Sequence, residues 1–341
     1  MMTSEPAHPT TIGATPPDFV VCPVCKGRLA RHERSLQCTL CRRTYEWLDG
    51  VLHLLAESGM RFEDIPNEER DLLEERANAY SAEHYYLPFL RDVFGQHRVS
   101  ASDHSFRVLF NGCGVGVDVD IANRAGFESY GVDCGNRTRL WRRRECGPRL
   151  YVGNARALPF ADATFDVVIT GCLFPHIGVV GDSTTLTADG RLHRQEAASE
   201  MVRVTRAGGH MIMANPNRWC PLDLWHQGQM KHPDDLFRLH SPRERFLLSL
   251  SDYRTLFASC RSIKTLPVSG YWGFLQKGTH PKKRYLVPVV DTYFAFLSSW
   301  AAPVSAAKGC SAGSSPLPYP ILPKSRPASK ITRKFSMNIT S

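Results

Sequence analysis

Two pairs of cysteines near the start of the chain have the types and spacing for chemistry. Cys22-Pro-Val-Cys25 and Cys38-Thr-Leu-Cys41 stand twelve residues apart. Each CxxC closes a tight turn that aims two thiolates at one point, and two such turns supply four soft ligands for a tetrahedral Zn²⁺. Four thiolates leave no open coordination position, so the expected role of that metal is structural. It would organise some thirty residues too few to bury a core unaided. Redox dithiols are the plainer competitor for this spacing. The turn chemistry fits the metal, with Gly27 offering backbone freedom just after the first pair.

A second constellation begins at Asn111-Gly112-Cys113-Gly114-Val115-Gly116. It follows the apolar triplet VLF (108–110) and precedes VDVDIANRAGF, a sequence of helical character. Glycines in such a turn permit a sharp bend and let a ligand approach the backbone closely. A glycine-rich turn alone is weak evidence, since many are glycine-rich for packing. Here, however, Asp133 closes the next apolar run, YGVD, 21 residues beyond Gly112. A carboxylate at the end of a second strand can accept hydrogen bonds from both hydroxyls of a ribose. The pair of features points to an adenosine-containing cofactor.

The elements that must position these groups read as strands alternating with helices. Apolar runs of strand length occur at 108–110, 130–133, FDVVIT (165–170) and HMIMAN (210–215). A helical stretch, RLHRQEAASEMVRVTR (191–206), reaches a stop signal at Gly208-Gly209. This order predicts a parallel, doubly wound α/β sheet. Upstream, RLARHERSLQ suits a short hairpin and TYEWLDGVLHLL a further strand and turn. Residues 61–98 carry acids and apolar groups at helical spacing around Pro88.

VLFNGCGVG, YGVD, GNARALPFADATFDVVIT and EMVRVTRAGGHMIMANPN, taken in order, resemble the class I S-adenosylmethionine-dependent methyltransferases of the small-molecule type. The resemblance covers roughly residues 106–220 and implies a Rossmann-like sheet whose strand tips hold the cofactor. It implies further that Gly112, Cys113, Gly114 and Gly116 form the turn along the methionine moiety and that Asp133 holds the ribose. Asn154 and Ala155 would lie beside the adenine, Cys172 near the sulfonium, and Asp166 would be structural. Phe110 departs from the pattern, which usually has an acid there to buttress the turn, and Asn154 replaces the usual Asp. Asn154 keeps an acceptor oxygen while losing charge. A ribbon ahead of such a domain also resembles a group of rRNA guanine methyltransferases. YEWLDGVLHLL and NPNRWCPLDLWH look closer to ribbon-bearing bacterial methyltransferases of secondary metabolism or cell-envelope biosynthesis.

The expected organisation is a disordered N-terminus (1–18), a zinc ribbon (19–58), a helical linker or lid (59–105), the methyltransferase domain (106–276) and a basic, partly apolar, disordered tail (277–341). Methyl transfer needs a strong base only when the acceptor must lose a proton early. His176, in CLFPHI, is the candidate base or acceptor contact, although a His there is often structural. His193, Trp225, His226 and the tyrosines 80, 85 and 86 are weaker candidates, each with a packing role as the plainer reading.

The net charge of +9 resides in residues 277–341, with ten basic side chains against Asp291, so the rest of the chain is neutral. A neutral body argues against nucleic acid as partner. A small-molecule or lipid-linked acceptor, methylated on O, N or C, is the expected substrate. An rRNA methyltransferase and a non-catalytic zinc-bearing scaffold stay open as alternatives. Eleven scattered cysteines and a start without an apolar signal segment suit a cytoplasmic, reducing setting. The apolar stretch 285–307 has the length of a membrane span, but Pro288, Asp291 and Pro303 count against one. Flanking basic residues suit peripheral membrane contact; a packed or disordered tail is the plainer reading. The sequence does not indicate an oligomeric state.

Overall fold

A computed structural model describes residues 14–57, 60, 68–99, 105–181, 183–219, 222–223, 238–239, 243, 245–266, 288–289, 292–293, 296 and 336–340. The cysteine-bearing segment forms an antiparallel meander of β1 (Leu29–His32), β2 (Ser35–Cys38), β3 (Thr44–Leu48) and β4 (Val51–His53). In β3 the alternation is strict: Tyr45 and Trp47 are buried while their neighbours face solvent, the period-two signature of a half-buried strand. Helix α1 (Glu68–Ser81) runs through a π-helical turn, Ala82–Tyr86, into α2 (Leu87–Val99). Pro88 comes just after that π-helical turn, inside the continuous helix, where the widened turn accommodates a residue with no N–H to donate.

The central unit follows the expected alternation: β5 (Arg107–Asn111), α3 (Val117–Arg124), β6 (Glu128–Asp133), β7 (Leu150–Val152), β8 (Phe165–Gly171), α4 (Gly190–Val204) and β9 (Thr205–Ala214). A two-stranded pair, β10 (Leu222–Asp223) and β11 (Arg238–Leu239), precedes α5 (Leu250–Leu256) and β12 (Ser262–Leu266). A last strand, β13 (Ser336–Thr340), lies parallel between β9 and β12. Among the described residues eleven strands share one sheet, in the order β1-β2-β3-β4-β7-β6-β5-β8-β9-β13-β12. The chain winds outward from β5 through β6 to β7, then returns to build β8 and β9 on the other side. The crevice between the tips of β5 and β8 is therefore the topological switch point, where open α/β sheets bind ligands. The sheet is Rossmann-like.

One core layer packs α2 and α3 against Val108, Phe110, Val167 and Ile169; the other packs α4 and α5 against Leu109, Val168, Met211 and Met213. β8 is buried along six of its seven residues, as a parallel strand covered on both faces must be.

The structure adds one connection and departs from two expectations. The ribbon joins the central sheet, since β4 pairs in parallel with β7 and its core residues merge with the α4 layer. Helix α4 ends at Thr205 rather than at the glycine pair. Thr205 turns to extended backbone and pairs with Phe165, and its hydroxyl donates to Met201 O. The tail is not disordered throughout, because residues 336–340 fill a slot between two strands. The apolar stretch 285–307 lies mostly outside the described residues, among which no helix is long and apolar enough to cross a membrane.

Candidate functional site

The four cysteines at 22, 25, 38 and 41 converge, with all their sulfurs within 4.8 Å of one another. Cys22 Sγ stands 3.6 Å from Cys41 Sγ, and Cys25 Sγ 3.4 Å from Cys38 Sγ. Sulfurs about 2.3 Å from a shared tetrahedral ion would be about 3.8 Å apart, so the set fits such a metal. Matching loops aim them: Lys26 N donates to Cys22 O and Arg42 N to Cys38 O, with both Lys26 and Arg42 left-handed. Lys26, not Gly27, thus takes the unusual backbone angle. Gly27 is required for space, since a Cβ there would stand 2.9 Å from Cys38 Sγ.

The glycine turn lies at the tip of β5. Gly112, Gly114 and Gly116 all have positive φ, a conformation that side chains disfavour. Trp141 Nε1 donates to Gly114 O and Arg144 Nε to Val115 O, both at 2.8 Å, which brace the turn from below. Cys113 points inward: a Cβ on Gly131 would lie 2.7 Å from its sulfur, so only its backbone can face a ligand. Half-buried Asp133, at the tip of β6, joins two loops. Its Oδ2 accepts Gly114 N–H at 2.8 Å and its Oδ1 accepts Gly135 N–H at 2.7 Å. Each oxygen has a further lone pair, so the carboxylate is oriented and can still take ribose hydroxyls.

Asn154 is engaged on both sides of its amide. Its Nδ2 donates to Met60 O at 2.6 Å, and its Oδ1 accepts Arg156 N–H at 2.9 Å. Ala155 is buried in the α4-side core. Beyond β8, Cys172 has φ +51°, and its sulfur lies 3.9 Å from Nε2 of half-buried His176. Asp166 does bridge structure, its Oδ2 accepting from Arg107 N and Arg206 Nη1. His193 lies in the first turn of α4 and Tyr80 stacks on His84; Trp225 and His226 lie outside the described residues.

Three further groups lie close to these elements that the sequence did not single out as site residues or left among the weak candidates. Tyr86 is buried, and its hydroxyl stands 3.0 Å from where a Cβ on Gly171 would be. Burial, reinforced by Asp118 and Cys172, pushes that phenol up. Asp118, in the first turn of α3, is pushed up to about 7 by burial. Glu74 of α1 places Oε1 2.9 Å from the Cβ position of Gly114.

Residues 109–213 match a family model described as "Methyltransferase domain". That stretch of the chain is a methyltransferase domain. Among solved structures, PH0226 from Pyrococcus horikoshii OT3 aligns at 26% identity over 37% of this chain and 56% of that one, with a TM-score of 0.25. A possible histamine N-methyltransferase from Thermotoga maritima aligns at 18% identity over 56% of this chain and 74% of that one, TM-score 0.31. Haemonchus contortus phospholethanolamine N-methyltransferase 2, solved with S-adenosylhomocysteine, aligns at 23% identity over 35% of this chain and 26% of that one, TM-score 0.24. No curated protein matches the sequence. The alignment thus spans little more than half of PH0226.

Proposed function

We propose that the protein transfers a methyl group from S-adenosylmethionine to a small-molecule or lipid-linked acceptor, on O, N or C. The observation that carries this reading is Asp133, at the tip of β6 next to β5, held against the glycine turn by the N–H groups of Gly114 and Gly135. In this reading Gly112, Cys113, Gly114 and Gly116 give their backbone to the methionine end. Asn154 and Ala155 border the adenine, and Cys172 lies near the sulfonium carbon. The bound sulfonium supplies an activated methyl and a good leaving group. The chain's own contribution is alignment and exclusion of water. His176 is the base or acceptor contact, within reach of Cys172. The cysteine cluster holds a structural Zn²⁺, and thiols kept free suit a reducing compartment.

The test is calorimetric titration of the full chain with S-adenosylhomocysteine. Asp133→Ala should weaken binding about 100-fold, since hydrogen bonds to a charged group contribute about 1.5–3 kcal/mol each. Unchanged affinity in that variant would remove the assignment.

A further inference from the structure

The tip of β5 offers the donor no acid of its own. Phe110 stands there instead, buried, with its ring 6.1 Å from that of Tyr86. A carboxylate nevertheless lies against the turn, delivered from a different element. Glu74 of α1 puts Oε1 2.9 Å from the Cβ position of Gly114, with Asn78 Nδ2 at 3.7 Å. Its Oε2 pairs with Arg137 Nε at 2.7 Å. Arg137 belongs to the 3-10 helix Asn136–Arg143, which starts directly after the loop whose Gly135 N–H is held by Asp133. Asp71 lies 3.7 Å from Arg137 and also pairs with Arg139, so the guanidinium is supported from the helix side. An ion pair of opposite charges therefore stands over the glycine turn, on the side of the ribose anchor.

We infer that Glu74 binds the α-ammonium of the donor's amino-acid end, with Arg137 facing its carboxylate. This rests on the donor reading above and adds a binding residue that the glycine-turn pattern does not contain. A zwitterion inserted alongside a pre-formed ion pair meets each of its charges with the opposite one. No charge is left uncompensated in either the empty or the filled state, which limits the desolvation penalty of a partly buried site. The same placement explains Gly114 twice over. Its φ of +50° disfavours any side chain, and a side chain there would displace the Glu74 carboxylate.

The experiment is calorimetric titration of the full, zinc-loaded chain with three ligands. These are S-adenosylhomocysteine, its analogue lacking only the α-amino group, and 5′-methylthioadenosine, which lacks the whole amino-acid end. Glu74→Gln should weaken S-adenosylhomocysteine at least tenfold and leave 5′-methylthioadenosine within twofold. The deaminated analogue should bind wild type and variant alike, because the contact it lacks is the one the variant removes. Equal losses on S-adenosylhomocysteine and 5′-methylthioadenosine would make Glu74 a packing residue and overturn the inference. Unchanged or tighter binding of S-adenosylhomocysteine would overturn it too, the latter showing that Glu74 blocks the cleft. Should Glu74→Gln fail to fold, Glu74→Asp keeps the charge but draws it back by one methylene, and the same ligand-selective loss is expected. If wild type binds none of the three ligands, the donor reading falls and takes this inference with it; wild-type binding with an unselective Glu74 variant sinks the inference alone.

Discussion

Asp118 carries a cost that its position makes measurable. Burial against Tyr86, with Asp133 nearby, pushes its carboxyl up to about 7 although it accepts Val119 N–H. An unfolded aspartate titrates near 3.8, so between about 4 and 7 the folded protein holds a proton that the unfolded chain has lost. Stability therefore falls as pH rises through that window and the penalty is complete above it. Asp118→Asn keeps the acceptor without the charge. It should stabilise the fold by about 2–4 kcal/mol at pH 8 and by little at pH 4, read from urea unfolding at both values. A gain independent of pH would mean the carboxylate is not desolvated. This residue also marks the limit of the sequence at this scale. Asp133 was legible because a strand, a glycine turn and a 21-residue spacing are local facts. Asp118 was one acid of two in VDVD, and Glu74 one of many in α1. Only the packing of α1 and the π-helical turn over β5 and β8 separates them from solvated neighbours.

Between elements, a half-buried carboxylate of α4 helps fasten the ribbon to the domain. Glu200 of α4 accepts Lys26 Nζ at 2.9 Å, Leu158 N–H at 2.7 Å and Arg203 Nε at 2.6 Å. Burial would push Glu200 up, but Arg203 and Lys26 overcome it and hold the group below its usual range. Its stabilisation is thus full above the unfolded value and lost as pH falls through the folded one. Lys26 follows the second cysteine of the first knuckle, and Leu158 closes the loop that begins at Asn154. Glu200 therefore links the metal loop to the wall assigned to the adenine. Glu200→Gln takes the carboxylate from Lys26 and leaves Arg203 with Asp162 alone, and it should cost about 2 kcal/mol at pH 7, the loss of hydrogen bonds to a charged group. The loss should shrink toward pH 3, and S-adenosylhomocysteine affinity should drop with it. A stability loss of equal size at both pH values would deny the carboxylate this role. None of this network was legible in the sequence, because its members lie up to 174 positions apart. Hydrophobic period and turn residues report neighbours along the chain, and so they gave the ribbon's hairpin and following strand, helical stretches as far as α4 and the four long parallel strands, but not α5. β7 escaped because three residues, LYV, carry no period.

At the level of the whole molecule, the ribbon and the domain share one sheet, and this makes a claim about cooperativity. β4 pairs with β7 at Leu52–Tyr151 and His53–Val152, and Leu54 N donates to Val152 O. Val20 bridges Phe160, while Phe19 packs edge-on against Tyr130 and Phe165, with Arg107 over its ring. Segments docked this way should not melt separately, since opening the ribbon exposes the edge of the central sheet and part of its core. The zinc-loaded protein is expected to unfold in a single calorimetric transition. A strong chelator should then lower the midpoint of that same transition rather than abolish an early one, because metal binding free energy is folding free energy for a small cysteine-held unit. Hydrogen exchange supplies the local reading. Chelation should speed exchange of the amides in β4 and β7 together, leaving those of β8 and β9 slow. Two transitions, with β7 protected after the metal is stripped, would show a ribbon that merely touches the sheet; the coupling from metal through Lys26 and Glu200 to the cofactor wall would then have no structural path.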